Sequence, residues 1–394
     1  HHLAHNHIAK HGLRFWFTKA PSDTLETAGE LGPGFQVRMP TFQVDREVLD
    51  EYLLDLARRE GAIVHRPAKA SAIDLAGPDG RALATIEEAG RAPRVISARW
   101  IIDTTGRASK LARMLGLVRK VPEHPTNALW ARFRSVKDFD SDELRRKYPA
   151  YARRVQASRT AATNHLCGYG WWCWIIPLRG GDVSAGLVYD ERLFTPPEGG
   201  RIGERVLAHL RSDPIGRELF AEAEVCEGDG RALSHLPYFS EAIAGPNWAI
   251  AGDAAGFMDP LYSAGLDYAS WTVSLAVDRI LAEAGGHKIS IDEINSQWLQ
   301  SYHGWMNALY VDKYHYLGDR RLMTAAYLMD LGLFFFGPVR EIVNCTRTGF
   351  AKPPFCGPVD SFVAKVMRFY NLRLAELGRQ KKAAGVYGAL RALL

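Results

Sequence analysis

The sequence has little of what commits a chain to a special environment. Its five cysteines, Cys167, Cys173, Cys226, Cys345 and Cys356, are odd in number and form no CxxC pair. That argues against a disulfide framework or a cysteine zinc site, and they read as buried free thiols. No apolar run reaches the roughly 18 residues needed to span a bilayer. The stretch Leu322 to Val339, with Phe334, Phe335 and Phe336, comes nearest but is interrupted by Asp330, so it reads as a buried helix or a ligand-lining surface and not as a transmembrane segment. The 49 basic and 44 acidic residues leave a net charge of +5 without a long basic run, which gives no support to nucleic-acid binding and implies only a mild bias toward anionic ligands. His1, His2, His5 and His7 open the chain without carboxylate or cysteine company, so no metal site is expected there. With no secretory signal peptide either, a cytoplasmic location is expected.

What is present is the composition of a large folded unit. Over 394 residues, 47% hydrophobic and 24% charged, the chain can bury one large core or two joined lobes. Apolar residues at helical spacing, Val48, Leu49, Tyr52, Leu53, Leu56 and Ala57, follow Asp45-Arg46 and end at Gly61, predicting a helix that packs on a sheet. Ala62 to His65 reads as a short strand, and Gly77-Pro78-Asp79-Gly80 as a turn between β-rich segments. Trp100-Ile101-Ile102 is a buried strand that stops at Asp103-Thr104-Thr105-Gly106-Arg107. Trp248-Ala249-Ile250-Ala251 is another, stopping at Gly252-Asp253. Two such strands, each ending at an aspartate with a glycine close by, predict strand ends converging on one ligand crevice, as in open α/β sheets.

Between them, from Thr126 to Leu236, alternating segments such as Ala128–Phe133 and Val183–Val188 read as a second, more antiparallel sheet. From Ile291 onward, Trp298, Tyr302, Trp305 and Leu309 recur at helical spacing and lead into a helical region whose basic run, Arg379 to Lys382, reads as a solvated face.

Two motifs carry chemistry. In Gly252 to Leu266, Asp253 can accept hydrogen bonds from a polyol, Gly256 lets backbone approach a ligand, and after the Pro260 turn Ser263, Ala264, Gly265 and Leu266 begin a helix whose free N–H groups favour negative charge. In Gly170 to Pro177, Trp172 and Trp174 lie two apart, so a strand puts both on one face.

The second motif contains W-x-W-x-I-P in full, and with the Gly252 to Gly265 stretch it resembles the flavin-dependent halogenases, relatives of the aromatic-ring hydroxylases. The resemblance implies an α/β fold: a Rossmann-like FAD-binding domain of the aromatic hydroxylase type with an inserted antiparallel β-sheet substrate domain and a helical C-terminal region. It divides the chain into residues 1–115 and 241–290 for the two parts of the FAD domain, 120–240 for the substrate sheet and 291–394 for the helical region. It implies reduced FAD from a separate flavin reductase, oxygen, and chloride or bromide as co-substrate, with halogenation of an electron-rich ring in secondary metabolism.

By the same resemblance Lys10, in Ile8–Trp16, is the lysine that aims the oxidant. Arg46, Asp103, Gly106, Gly252, Asp253, Gly256, Pro260, Gly265 and Leu266 would contact the cofactor, and Ser263, Ala264 and Gly265 would hold the halide. Trp172, Trp174, Ile176 and Pro177 would wall the aromatic site from the flavin. Two departures stand out. The family's opening G-x-G-x-x-G, which cradles the FAD pyrophosphate, does not occur before Lys10, so the natural protein is expected to be longer. Tyr262 stands where tryptophan-type members carry a glutamate, pointing to a phenol or pyrrole, free or on an acyl or peptidyl carrier protein. The rival readings are a hydroxylase or prenyl reductase of the same superfamily, which shares Asp103 and Asp253 but needs neither Lys10 nor the paired tryptophans, and a flavin-binding partner without catalysis in a biosynthetic complex.

Overall fold

The computed structural model describes residues 2–35, 41–340, 343 and 358–388; Cys345 and Cys356 fall outside these. Its centre is an eight-stranded sheet. Glu224–Val225, Thr126–Arg134, Val183–Asp190, Trp171–Pro177, Thr163–Gly168, Leu13–Phe17 and Gly29–Leu31 lie side by side, and Arg231–Leu233 adds to Thr126–Arg134. All pairings are antiparallel except Thr163–Gly168 with Leu13–Phe17. Leu13–Phe17 and Gly29–Leu31 thus place part of residues 1–115 in this large sheet. Phe15 and Phe17 belong to the inner wall of the large one.

Strand alternation gives this sheet two dry faces. Leu129, Ala131, Phe133, Cys173, Ile175, Ala185 and Leu187 face one core with Leu144, Val206, Leu210 and Leu219 from short covering helices. Phe15, Phe17, Ala128, Trp172 and Val188 face the other, against the Gly252–Gly265 loop and the C-terminal helices. Cys167, Cys173 and Cys226 are buried free thiols, and burial pushes all three up from the ordinary thiol range.

A second, three-stranded sheet runs Ala244–Gly245, Trp248–Ile250, Ile101–Asp103, the last pair parallel with Ile250 beside Asp103. The predicted convergence of strand ends is present: Ala251 N–H donates to Asp103 C=O at 2.9 Å. The helix Gly265–Ala284 packs behind it, with Arg279 over the Trp100 ring at 4.6 Å.

Three expectations need correction. The helix Arg46–Arg59 forms, capped by Asp45, whose side chain accepts from Glu47 N–H, but none of its residues is buried, so its apolar stripe packs on no sheet. Ala62 to His65 is irregular, because Ile63 is 85% exposed and the strand begins only at Ala68, after Pro67. The basic run is not wholly solvated, since Lys381 is buried against Asp319 and Lys382 lies over the Tyr169 ring.

The C-terminal region is helical as expected, with Ile291–Trp305, Arg320–Phe334 and Pro358–Ala383. Arg320–Val339 is long and apolar enough to cross a membrane by length and composition. Its Asp330 is buried and paired with Lys313 at 2.5 Å, and Met323, Ala326 and Leu333 are buried in the same core. At the other end of the chain His2 stacks on Tyr52 and His7 Nδ1 accepts from Asp45 N–H. Among the described residues no three His, Cys, Asp or Glu side chains are grouped to hold a metal ion.

Candidate active site

The Gly252–Gly265 loop is built around two left-handed residues that are not glycine. Tyr262 has φ 71° and Ser263 φ 62°, a backbone state that costs about 1–3 kcal/mol per residue and persists only where the surroundings impose it. The surroundings are three tyrosine hydroxyls from the C-terminal region. Tyr302 donates to Phe257 C=O at 2.9 Å, Tyr310 to Leu261 C=O at 3.0 Å and Tyr314 to the Asp259 carboxylate at 2.8 Å. Tyr262 itself donates to Asp330 at 2.7 Å, within reach of Lys313.

Asp259 ties this loop to the tryptophan strand. One carboxylate oxygen accepts from Leu261 N–H, and the other from both His124 Nε2–H and Tyr314 O–H. The Trp172 indole N–H donates in turn to Tyr314 at 2.8 Å. Trp172 and Trp174 share a face as expected, ring centres 6.0 Å apart. Trp172 is buried and Trp174 half-buried, with its N–H on Ser184. Ile176 and Pro177 close the same strand, both partly exposed. Spacing alone marks neither His124 nor Tyr314, because each acts across more than fifty residues of chain.

Ala264 and Gly265 line a small cavity of about 10 Å³ with Gly256–Asp259, Tyr268, Trp298 and Tyr302. That is about the room of one water-sized particle. Ser263 and Leu266 are exposed at the loop's outer rim.

The cofactor-side residues divide by what their polar atoms already do. Both Asp103 oxygens are taken by its own turn, accepting from Thr105 N–H at 2.8 Å and Leu111 N–H at 2.6 Å. Gly106 supplies φ 59° for that turn, and Gly252, at φ 63°, donates its N–H to Thr272. Gly256 is glycine for an internal reason. A Cβ there would stand 2.9 Å from the Tyr238 carbonyl and 3.2 Å from Trp298, so the close approach predicted toward a ligand is toward the protein's own strand. Pro260 opens the turn Leu261–Ser263.

Asp253 is different. Its carboxylate has no hydrogen-bond partner among the described residues; burial pushes it up from the usual range, while the charges of Arg46 and Arg107 pull it down. Arg46 is exposed and paired with Asp50. Arg107, not singled out from sequence, spans the strand end by donating to the Leu236 and Ser234 carbonyls and covering Tyr238.

Lys10 ends the strand Ile8–Lys10, which pairs with Thr41–Gln43. Burial holds its ammonium at about 8, well below the ordinary lysine range, with the Asp267 charge opposing the shift. Its charge is felt by Asp267, at the start of the helix behind the loop, and by His165 on the large sheet. Lys10 is thus within electrostatic reach of the helix that follows the loop and of the large sheet, and a buried positive group of this kind can act on a small anion or oxidant.

Comparison with known proteins shows the family to which the chain belongs. The sequence model of the tryptophan halogenase family matches residues 24–321, most of the chain, and the protein belongs to that family. It is 25% identical over 305 residues to a tryptophan 2-halogenase of Chondromyces crocatus, covering 75% of this chain and 55% of that protein. It is 28% identical to the flavin-dependent halogenase rdc2 of Metacordyceps chlamydosporia, covering 65% and 50%. The chain spans about half the length of the curated relatives it matches. Among solved structures, halogenase PltM in complex with phloroglucinol and FAD superposes with a TM-score of 0.76 at 18% identity, covering 96% of this chain and 77% of PltM. A triple mutant of the flavin-dependent brominase Bmp2 superposes with 0.64 at 17%, covering 94% and 84%. The α/β architecture is therefore that of the FAD-binding halogenases.

Proposed function

We propose that this chain carries the substrate and halide machinery of a flavin-dependent halogenase that uses reduced FAD from a separate reductase, oxygen and chloride or bromide to halogenate an electron-rich ring. The observation that carries the reading is Lys10, a lysine that burial holds near 8 and whose charge reaches both Asp267, at the start of the helix after the loop, and His165, on the sheet face that carries Trp172 and Trp174. Asp253, flanked by the Arg46 and Arg107 charges and without a hydrogen-bond partner among the described residues, fits the polyol of a flavin, and Gly252 and Gly106 fit the turns around it. Asp253, Gly252, Gly106, Ala264 and Gly265 would hold FAD, which when bound and reduced would supply the electrons that convert halide and oxygen to hypohalous acid.

The chain's own groups do the rest. The cavity beside Ala264 and Gly265 has room for one small particle, and the N-terminus of a 20-residue helix, Gly265–Ala284, favours an anion there. Lys10 then orients the oxidant: its ammonium hydrogen-bonds the oxygen of hypohalous acid and gives it a proton as the O–halogen bond breaks and the halogen bonds to the ring, so that oxygen leaves as water and the ring carbon releases its own proton to solvent. With a value near 8, Lys10 exchanges that proton with solvent readily near neutral pH. Trp172 and Trp174 keep the ring apart from the flavin, favouring halogen over oxygen transfer. The relatives' names disagree on the ring, with halogenases for tryptophan, sulochrin and tetracycline among them. Tyr262, hydrogen-bonded to Asp330, favours a phenol- or pyrrole-type substrate, free or on a carrier protein.

The test is product mass spectrometry of the full-length protein with FAD, a flavin reductase, NADH, oxygen, bromide and a panel of phenols, pyrroles and indoles. A bromine isotope doublet, lost at least about a hundredfold in Lys10→Ala, is the expected result. Addition of oxygen without bromine would make the protein a hydroxylase, and unchanged bromination by Lys10→Ala would remove that lysine from the mechanism.

A further inference from the structure

The inner face of the large sheet carries a row of side chains set by register: Leu31, Phe15, His165, Trp174, Gly186 and Trp130 stand opposite one another from strand to strand. At Gly186 the row has no side chain of its own. A Cβ there would lie 2.3 Å from the Trp174 ring and 2.7 Å from the Trp130 Cβ, so the indole fills that place. His165 is the one titratable member of this aromatic row. Its ring stacks on Phe15 at 4.6 Å with 16° between planes, and stands 5.4 Å from Trp172.

The hydrogen bonding of His165 fixes its chemistry. Nδ1 lies 3.0 Å from the Arg14 backbone carbonyl. A carbonyl can only accept, so Nδ1 carries the proton and Nε2 a lone pair. The residue is 2% exposed, and Nε2 has no hydrogen-bond partner among the described residues. Burial, with the Lys10 charge second to it among the lowering influences, holds His165 at about 3, so it is a neutral acceptor throughout the working pH range. This acceptor sits on the face that carries Trp172 and Trp174, keeps some accessible surface although its ring is buried, and feels the charge of Lys10.

We propose that His165 determines substrate specificity: its Nε2 accepts a hydrogen bond from an O–H or N–H group on the aromatic ring, so the site selects phenols or N–H heteroaromatics over their O- or N-methylated counterparts. This deepens the halogenase reading and rests on it for the ring's presence. The hydrogen bond also serves the chemistry, because a hydroxyl donating to a neutral imidazole pushes electron density into the ring, at the positions where an electrophilic halogen bonds. Lys10, whose charge reaches His165, needs the ring in one orientation to aim at such a position.

The experiment measures binding of a phenol and its methyl ether to the protein by quenching of indole fluorescence, without turnover. The native protein is expected to prefer the phenol by at least about tenfold. His165→Phe keeps a flat ring against Phe15 but offers no acceptor, and is expected to bring the pair within about twofold by weakening the phenol. His165→Gln restores an acceptor and is expected to recover part of the preference, which a purely packing role would not do. Circular dichroism establishes that both variants are folded; if His165→Phe is not, His165→Gln against the native protein decides alone. Equal binding of phenol and ether, no measurable binding of either, or a preference that survives in His165→Phe would each overturn the proposal. Bromination of the same pair separates it from the halogenase reading. A preference in binding with no brominated product sinks the halogenase reading and leaves this one standing, whereas bromination of both rings at equal rates sinks this one alone.

Discussion

Two of the sheets in this molecule meet their surroundings differently. The eight-stranded sheet is covered on both faces, with Phe133, Ile175 and Leu187 sealed on one side and Phe15 and Trp172 on the other. The three-stranded sheet is covered on both faces at Trp248–Ile250 but opens at its far edge. Its last strand, Ile101–Asp103, has no neighbour beyond it among the described residues, and Ile102 is 43% exposed. Two helices outside the large sheet carry exposed apolar stripes as well, Leu53 and Leu56 on Arg46–Arg59 and Val273, Val277 and Leu281 on Gly265–Ala284. Parallel strands are ordinarily buried on both faces and at their edges. The contrast teaches where rigidity resides: the aromatic wall is preformed, while the cofactor side presents apolar surface of the kind that marks an interface.

The sharpest way to break that contrast is to damage the covered side. Phe133 is fully buried and edge-on to Phe220 at 5.6 Å. Phe133→Ala is expected to cost about 3–5 kcal/mol in urea unfolding, with the hydrogen-exchange protection of the whole large sheet falling together. Loss below 1 kcal/mol would mean that the sheet is not the rigid unit its packing implies.

Next in size is the link between the sheet and the loop. Tyr314→Phe removes the hydroxyl that joins Trp172 to Asp259, leaving the indole N–H and one carboxylate bond unmade, at about 1–3 kcal/mol. Exchange of the amides at Leu261 and Ser263 is expected to accelerate more than exchange in Trp171–Pro177. If both segments loosen equally, Tyr314 is ordinary core and not a tether.

How much of this was legible beforehand follows from the range of the interactions. The strand ends at Asp103 and Asp253, the paired tryptophans and the cap at Asp45 are local patterns, and the structure holds each of them. The tyrosine pins at 302, 310 and 314, the Asp259–His124 contact and the Lys313–Asp330 pair join residues distant in sequence, and no spacing announces them. Gly256 was read as a ligand contact because a glycine's reason, whether ligand or neighbouring strand, lies across the fold. The Arg46–Arg59 stripe was read as buried because periodicity reports which face is apolar and not whether anything covers it.

Lys10 lies where the two regions meet, and its titration sharpens the comparison without altering either side. Held at about 8, against about 10.4 in an unfolded chain, it leaves the unfolded state binding more protons between those values, so its contribution to stability rises with pH across that window. The direct measurement is the pH dependence of acylation followed by peptide mass spectrometry. Lys10 is expected to reach its maximal rate about two pH units below the exposed lysines, and Asp267→Asn, by removing the charge that opposes the shift, is expected to lower it further. Titration alongside the surface lysines would place Lys10 in water and outside the site.

The smallest expected effect is the most discriminating for the open side. Val277 and Leu281 are 43% and 63% exposed, so if nothing covers them, Val277→Ser and Leu281→Ser change stability by no more than about 0.5 kcal/mol. Surface of this kind is seldom left wet when Leu53, Ile102 and Leu266 lie exposed on neighbouring elements, and an occupant would convert the same substitutions into core mutations. A cost above about 1.5 kcal/mol for either serine, paired with concentration-dependent unfolding, would identify the cover as a second copy of the chain. The same cost without concentration dependence would place the cover within the protein itself. In both cases the contrast between the two sheets would be one of exposure in isolation, with the cofactor side completed by the element that docks on Ile101–Asp103.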